Sequence, residues 1–497
     1  MTFGSKFGPL RRPERDQRGA RPDPLDRRVL VIGAVVFAAQ LAVAGRYGWH
    51  RDELYFLAGS RHLAWGYVDQ PPFTPLVARV STALFGSSLY GLRLFPAAAD
   101  SAIVVLAGVI ARELGGRRRA QALAAAAVAT ATVLLVVGHL LSTTIFDFLA
   151  WTALTALAVH VFRTGDRRWW IAAGLVAGIG LENKHSVAFL LVGLLVGVLL
   201  ARRDLLGDGW LWLGAAIAVV FWLPNLAWQA GHGWPAFEMS RSLHTKGVHD
   251  GNPFLFLPMQ LVFLGPFVTP LWIAGLLWLL RDPAGRDHRP LAVAWILLAL
   301  AFIVTAGKPY YLAGLYPALI AAGTVWLERR WSRQAMRAAT AVITVAGVVA
   351  LPLALPLLPP GATGRGVIAA VNPELRETYG WEAFARTVEG VPGAVVFTLN
   401  YGEAGALQRY TPSRAVYSGH NNYWLWGPPP DAAPSVVVVG HFSPSYISEH
   451  FTGCRLRATI DNPADIPNQE RGAGVWSCTG PGRPWHDEWP SLRHYNA

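Results

Sequence analysis

The chain has 497 residues, of which 53% are hydrophobic and only 15% are charged. This composition excludes a soluble multidomain protein and a disordered chain, and two cysteines are too few for a disulfide scaffold. The 43 Lys and Arg against 31 Asp and Glu leave a net charge of +12. These cations lie in short clusters between apolar segments, which is typical of membrane topology and excludes a nucleic-acid partner.

Eleven apolar segments are candidates for membrane-spanning helices, because a bilayer core about 30 Å thick needs roughly 20 apolar residues per helix. They are residues 29–45, 94–111, 120–141, 148–162, 169–181, 187–201, 210–228, 261–280, 291–307, 311–327 and 338–358. The fourth to sixth are short and need flanking residues or snorkelling basic side chains to span.

The arginine clusters alternate with loops that are poorer in basic residues, as the positive-inside rule requires. The first cluster lies in a basic tail, residues 1–28, and the apolar segment after it has no small-residue cleavage pattern, so we expect an uncleaved anchor. We therefore predict a multi-pass plasma-membrane protein with a cytoplasmic N-terminus. An odd number of spans places the C-terminus outside.

From about residue 361 the composition becomes that of a soluble domain. We predict strands at 395–399, 435–440, 455–460 and 474–478 and helices at 374–388, 404–410 and 444–451, an alternation that indicates a small α/β domain. Cys454 and Cys478 flank adjacent predicted strands and would pair in an oxidising compartment, with two free thiols as the alternative. The predicted organisation is a tail at 1–28, a transmembrane domain at 29–360 and an extracytoplasmic domain at 361–497.

The first outward loop carries three carboxylates, Asp52, Glu53 and Asp69, the last before Gln70-Pro71-Pro72. Such groups at a membrane surface are costly unless they line an aqueous or protein-bound cavity. On a helix, neighbours point about 100° apart, so one of Asp52 and Glu53 acts as a base while the other orients it or binds an arginine. The structural alternatives are that Asp52 only caps the helix and that Asp69 only forms a turn before the prolines.

Two outward lysines oppose the charge bias of the loops. Lys184 and His185 follow the fifth apolar segment, and Lys308 precedes Tyr310 and Tyr311. A lysine in this position requires an anionic partner such as a phosphate. The alternatives are a Glu182–Lys184 loop pair without a ligand and, for the tyrosines, an interfacial aromatic belt.

Other chemistries find no support in the sequence. His232, His244, His249 and Asp250 share one long loop, but their spacing matches no compact zinc pattern. The chain has no Walker A loop, no GxGxxG entering a helix and no GxSxG elbow. We predict neither a metal site nor a nucleotide or other cofactor.

Three motifs in this order resemble the GT-C fold polyprenyl-phosphate-sugar glycosyltransferases of glycosyltransferase family 39, which include protein O-mannosyltransferases and bacterial aminoarabinose transferases. They are Asp52-Glu53 followed by Tyr55, then Gly180-Leu181-Glu182-Asn183-Lys184, then Lys308-Pro309-Tyr310-Tyr311 with Tyr316-Pro317. The resemblance covers about residues 29–330. Asn183 stands where many relatives have Thr before the lysine.

The resemblance implies an all-α polytopic membrane protein with about 11 transmembrane helices and a small C-terminal α/β extracytoplasmic domain. It also implies inverting transfer of a sugar from a polyprenyl phosphate to a hydroxyl of a glycan, lipid or protein at the outer face. The implied roles are as follows: Asp52 is the base, Glu53 and Asp69 assist it or contact the acceptor, Lys184, His185 and Lys308 contact the phosphate, and Tyr310 and Tyr311 bind substrate.

Two rival functions stay open at the level of sequence. A polytopic transporter also carries charges within a membrane domain, although this chain shows no repeat between its halves and gathers its charges at the outer interface. A non-catalytic protein that binds lipid-linked sugars would use the same residues without turnover. The aromatic segments 401–405 and 419–427 either bind acceptor glycan or pack over the membrane domain.

Overall fold

The computed structural model describes residues 23–250 and 253–496, except for the side chains of 247–250. Most of the basic tail, including Arg11 and Arg18, therefore lies outside the described residues, as do the side chains of His249 and Asp250.

Helices dominate the chain up to residue 390. In chain order they are α1 Arg27–Val43, α2 Arg51–Gly59, α3 Phe73–Phe85, α4 Leu89–Glu113, α5 Arg118–Ala129, α6 Thr132–Gly138, α7 Thr143–Thr164, α8 Trp169–Leu181, α9 Ser186–Ala201, α10 Gly209–Gly231, α11 Pro235–Asp250, α12 Phe256–Leu264, α13 Thr269–Arg281, α14 Arg289–Val304, α15 Tyr316–Glu328, α16 Arg333–Ala354, α17 Pro360–Thr363, α18 Gly366–Val371, α19 Trp381–Glu389, α20 Tyr401–Tyr410, α21 Asn422–Leu425, α22 Pro444–His450 and α23 Trp485–Glu488.

Short 3-10 helices connect several of these elements. They are Arg203–Leu205, Pro253–Leu255, Pro283–His288, Pro309–Leu315, Pro373–Thr378 and Trp489–Leu492. The strands are β1 Val395–Thr398, β2 Ala415–Ser418, β3 Val436–Gly440, β4 Phe451–Thr452, β5 Arg455–Thr459, β6 Gly474–Cys478 and β7 Gly480–Pro481.

The chain is a multi-pass membrane protein. Within the described residues, six helical segments are long and apolar enough to cross a bilayer, and the bent pairs α5–α6 and α12–α13 raise the number to eight. Each of the eleven predicted apolar segments coincides with one helix or one such pair. The remaining three are α1, α8 and α9, of 17, 13 and 16 residues, which explains why the number of long straight spans is below eleven.

The segment 261–280 is not the single straight span that the sequence predicts. Its two helices, α12 and α13, meet at 114°. Gly265 ends α12 with a φ of +81°, a conformation that glycine adopts without strain, and the following Pro266 has no N–H to continue the helix. The number of uncharged residues in this segment therefore overestimates the distance that it spans across the bilayer.

The C-terminal part folds as the predicted small α/β unit. Its five-stranded sheet has the order β2-β1-β3-β6-β5, with β1 parallel to β2 and β3 and with β6 antiparallel to β3 and β5. The predicted helix at 374–388 is divided into the 3-10 helix Pro373–Thr378 and α19, because Gly380 between them has a φ of +85°. A disulfide joins Cys454 to Cys478, which is the last residue of β6.

The α/β unit packs directly on the membrane domain through α20 and α2. Two glycines on α20 permit this close approach: a Cβ at Gly405 would lie 3.0 Å from the backbone carbonyl of Leu54, and a Cβ at Gly402 would lie 2.9 Å from Cβ of Arg51. Small residues at a helix interface let the two backbones come together. The contact brings the loop between α1 and α3 against the α/β unit, and the candidate site lies there.

Candidate functional site

Asp52 lies in the first turn of α2, the short helix that opens the first outward loop. His50 caps this helix: its Nδ1 accepts from the Asp52 N–H, and its own N–H donates to Glu53 Oε2 at 2.9 Å. The side chain of Asp52 is 37% exposed, and its Oδ1 accepts a 2.8 Å hydrogen bond from Tyr401 Oη. The result is a carboxylate held on one side and open to solvent on the other, at the positive end of a helix.

Glu53, the other member of the predicted acidic pair, is enclosed in the fold. Its side chain is 0% exposed and forms a buried ion pair with Arg93 of α4, at 2.9 Å from Nε and 2.8 Å from Nη2. The same carboxylate also accepts from the Leu141 N–H at 3.1 Å. The carboxylate accepts four hydrogen bonds inside the fold and so holds α2 against α4. It is the arginine-binding member of the acidic pair.

His50 links α2 to a residue that the sequence does not single out. Its Nε2 lies 3.0 Å from Glu374 Oε2 in the 3-10 helix Pro373–Thr378. Burial opposes protonation of His50, but Glu374 and Asp52 outweigh it and raise the imidazole pKa. Burial likewise opposes ionisation of Glu374, but His50 outweighs it and lowers the pKa of that carboxyl. His50 thus bridges Asp52 and Glu374, with Nδ1 toward the Asp52 N–H and Nε2 toward the Glu374 carboxylate.

A stacked pair of tyrosines connects the two carboxylates of the outward loop. The rings of Tyr55 and Tyr401 lie 4.5 Å apart at 23°, and Tyr55 Oη donates to Asp69 Oδ1 at 3.1 Å. Burial, supported by the charge of Asp52 and opposed by the Tyr55 hydrogen bond, raises the pKa of Asp69 to about 7. Asp52 and Asp69 thus face one region, each bonded to one ring of the stack, and Asp69 changes protonation near neutral pH.

Lys184 is held by the loop between α8 and α9. Asn183 fixes this loop, because its side chain accepts from Thr74 Oγ1 and donates to the Thr143 carbonyl, both at 2.8 Å. The Lys184 ammonium lies 5.4 Å from the ring centre of Tyr311 and 5.7 Å from that of Tyr310. Burial lowers the pKa of Lys184, and the charge of Asp147 opposes this effect. The ammonium is incompletely compensated, as expected of a group that receives an anion.

The third motif, Lys308-Pro309-Tyr310-Tyr311, lies near the residues of the first two motifs. Lys308 is exposed at the start of the 3-10 helix Pro309–Leu315, and its charge acts on both Lys184 and Glu374. The electrostatic neighbours of Tyr310 include Asp52 and Glu374. The fold therefore gathers Asp52, Asp69, Lys184, Lys308 and the two tyrosines around one region, with acids on the α2 side and ammonium groups on the α8–α9 side.

Comparison with known proteins bears on the fold. Residues 69–228 match the family model described as dolichyl-phosphate-mannose-protein mannosyltransferase. The structure is similar to the crystal structure of apo ArnT from Cupriavidus metallidurans, with a TM-score of 0.58 and 17% identity over 90% of this chain and 97% of that one. The same enzyme bound to undecaprenyl phosphate aligns with a TM-score of 0.55, at the same identity and coverage.

The chain has the GT-C fold of this membrane enzyme.

Two curated relatives of this GT-C protein match in sequence. Lipid A galacturonosyltransferase RgtD of Rhizobium johnstonii is 24% identical over 57% of this chain and 60% of its own length. An undecaprenyl phosphate-alpha-4-amino-4-deoxy-L-arabinose arabinosyl transferase of Pseudomonas fluorescens is 28% identical over 53% of this chain and 50% of its own. The chain thus spans about half to three fifths of the length of these relatives.

His185 of the GT-C protein differs from its neighbour Lys184. Its ring packs against Trp222 of α10, with ring centres 5.7 Å apart, and burial lowers its pKa to about 4. A neutral imidazole contributes no charge to a phosphate, so a role of His185 as a cationic phosphate contact is not supported by this geometry. Glu182 forms no ion pair with Lys184, which removes the ligand-free loop pair as an explanation of the lysine.

The aromatic segments of the α/β unit mainly pack in this GT-C protein. Trp424 and Trp489 exchange hydrogen bonds between their indole N–H groups and backbone carbonyls, at 3.0 and 2.9 Å. Asn422 Oδ1 accepts from the Val68 N–H at 2.8 Å and fixes the outward loop. Tyr401 reaches Asp52, and Asn421 Nδ2 lies 3.4 Å from Asp69 Oδ2. Of the two interpretations of the segments, packing over the membrane domain fits these contacts.

In the described part of the chain, no group of three or more His, Cys, Asp and Glu side chains is arranged to hold a metal ion. His232 contacts the backbone carbonyl of Trp228, and His244 contacts that of Thr305. The polar groups that surround Asp52 are tyrosines, lysines and a histidine–glutamate pair. Their chemistry fits proton transfer and anion binding.

Proposed function

We propose that this protein transfers a sugar from a polyprenyl-phosphate carrier to an acceptor hydroxyl, with inversion at the anomeric carbon. The observation that carries the proposal is that a solvent-open carboxylate, Asp52, and two lysines, Lys184 and Lys308, lie in one region at the end of the membrane helices. A base for an incoming hydroxyl and cations for a departing phosphate are the two requirements of this reaction.

The proposed reaction is one displacement. The acceptor hydroxyl gives its proton to the Asp52 carboxylate while its oxygen bonds to the anomeric carbon. The bond from that carbon to the phosphate oxygen breaks, and its electron pair stays on the polyprenyl phosphate, whose charge Lys184 and Lys308 stabilise. Tyr401 holds Asp52 in the geometry for attack. No covalent sugar–carboxylate intermediate forms, because Asp52 acts on the acceptor and not on the anomeric carbon.

The relatives support this class of donor and acceptor. The names of two relatives specify an undecaprenyl phosphate sugar as the donor and lipid A as an acceptor. We infer that the donor here is also a polyprenyl-phosphate sugar and that the acceptor is a hydroxyl of an envelope glycan, lipid or protein.

The membrane orientation belongs to the same proposal. The arginines that follow α13 and α15 lie at the far ends of these helices from Lys308 and Tyr310. By the positive-inside rule the arginine end is cytoplasmic, so the site and the α/β unit face outward. A cysteine at exposed Ser448 should react with an impermeant maleimide in intact cells, and one at exposed Gln334 only after lysis. The opposite pattern would reverse the topology.

The test of function uses the full-length protein in defined vesicles with radiolabelled polyprenyl-phosphate sugars and an envelope acceptor fraction. Wild type should transfer label, Asp52→Asn should lose about 10²- to 10⁴-fold of the rate, and Asp461→Asn, a matched exposed carboxylate on the α/β unit, should be unaffected. Equal transfer by wild type and Asp52→Asn would remove Asp52 from the reaction. Solute movement across the vesicle wall without sugar transfer would replace the proposal by the transporter function.

A further inference from the structure

An apolar groove runs along α13 at the side of the molecule that faces the bilayer. It has a volume of about 720 Å³. Its wall contains Thr269, Ile273, Leu277 and Arg281, one residue from each turn of α13, together with Trp326 of α15. Thirteen residues of α helix are about 20 Å long, so the groove has roughly the depth of one leaflet, half of a hydrocarbon core of about 30 Å plus the headgroup region.

The groove ends in positive charge. Arg281 and Arg330 both line this end. Arg281 forms no ion pair in the described part of the chain, whereas Arg330 lies 3.6 Å from Asp282 and has its guanidinium 4.3 Å from the ring centre of Trp326. Arg329 adds a further cation 5.5 Å from the ring of Trp278, which also lines the groove. Asp282 lies against Arg330 and the charge of Glu328 acts on Arg329, so two carboxylates face the three guanidinium groups.

The charged end of the groove is remote from the candidate site. Tyr310 and Tyr311 lie before the first residue of α15, and Arg330 follows its last residue. The 13 residues of α15 therefore separate the two places by about 20 Å. A phosphate held at Lys184 and Lys308 does not reach Arg281 or Arg330.

We propose that this groove binds an anionic glycerophospholipid of the surrounding bilayer. Its phosphate headgroup contacts Arg281 and Arg330, and an acyl chain lies along the apolar face of α13. The positive charge at the end of the groove and the length of the groove identify the class of lipid. Cationic side chains at the end of an apolar groove complement an anionic headgroup, and a groove one leaflet deep matches a lipid that is anchored at the interface.

The experiment measures lipid retained by the purified full-length protein, using native mass spectrometry with phosphatidylglycerol and phosphatidylethanolamine offered in equal amounts. Wild type should retain phosphatidylglycerol selectively. Arg281→Gln/Arg330→Gln should weaken that binding about fivefold per arginine removed, whereas Arg286→Gln, an exposed arginine at the same end outside the groove, should leave it unchanged. Equal retention of the two lipids, or unchanged retention by the double variant, would overturn the proposal.

A second variant addresses the apolar wall. Ala274→Phe fills the groove and should reduce phosphatidylglycerol binding, whereas Ala338→Phe, on the exposed face of α16, should not. Polyprenyl phosphate added to the wild type should leave the bound phospholipid in place. Its displacement by polyprenyl phosphate would show that the groove holds the tail of the carrier lipid and would refute the assignment to a bilayer phospholipid.

Discussion

Glu53→Gln should separate structure from catalysis within the acidic pair. The Glu53 carboxylate accepts four hydrogen bonds, two of them from Arg93, and neither side chain of this pair is exposed by more than 1%. Removing one partner of a buried ion pair costs about 3–5 kcal/mol, because the other charge remains buried. Arg93 keeps 2.7 Å hydrogen bonds to the carbonyls of Ala44 and Gly48. We therefore expect the lower end of that range, about 3 kcal/mol.

The assay compares Glu53→Gln with Asp52→Asn. Denaturant unfolding followed by tryptophan fluorescence gives the free energy of unfolding, and transfer of labelled sugar per folded molecule gives the turnover. Glu53→Gln should lose about 3 kcal/mol of stability and keep its turnover within about threefold. Asp52→Asn should change stability by at most about 1 kcal/mol and lose at least about 10²-fold in turnover. A stable but inactive Glu53→Gln would refute this division of roles.

Three further results are expected. Lys184→Met should weaken donor binding at least about tenfold, because a charge-assisted hydrogen bond contributes roughly 1.5–3 kcal/mol; equal donor affinity in equilibrium binding would exclude a phosphate contact. Because the pKa of Asp69 is raised to about 7, its folded form holds a proton that the unfolded chain has released. The free energy of unfolding should therefore fall as pH rises from about 4 to 7, and Asp69→Asn should abolish that part of the pH dependence in denaturant titrations. Replacing both disulfide cysteines, which are 24 residues apart, by serine should cost the α/β unit roughly 3–4 kcal/mol, and thermal unfolding that matches wild type would contradict this.

The fold was largely predictable because its signals are local. Apolar length identified the helical segments, and alternation of strand and helix patterns identified the α/β unit. The bend between α12 and α13 was missed because a count of uncharged residues ignores backbone conformation, although Gly265-Pro266 is a readable break.

The candidate site was predictable only in part. Asp52, Asp69, Lys184 and Lys308 stand in short motifs of unusual charge. The sequence could not show which of Asp52 and Glu53 is buried, because two neighbours on a helix differ only in the direction of their side chains. Glu53 is the buried one because it pairs with Arg93, which is 40 residues away in the chain. Tyr401 is 349 residues from Asp52, and no local pattern marks it as a partner of that carboxylate.

The stack of Tyr55 on Tyr401 means that the proposed reaction centre is assembled from two halves of the chain. Tyr401, which donates a hydrogen bond to Asp52, belongs to the α/β unit. Exchange of this unit between related proteins would therefore replace that donor at the same time as the outer surface. A chimaera whose incoming unit lacks a tyrosine at the position of Tyr401, or glycines at those of Gly402 and Gly405, would have a complete membrane domain and an unsupported carboxylate. A change of acceptor specificity in this architecture therefore has to preserve the α2–α20 contact, whereas other surfaces of the α/β unit can vary.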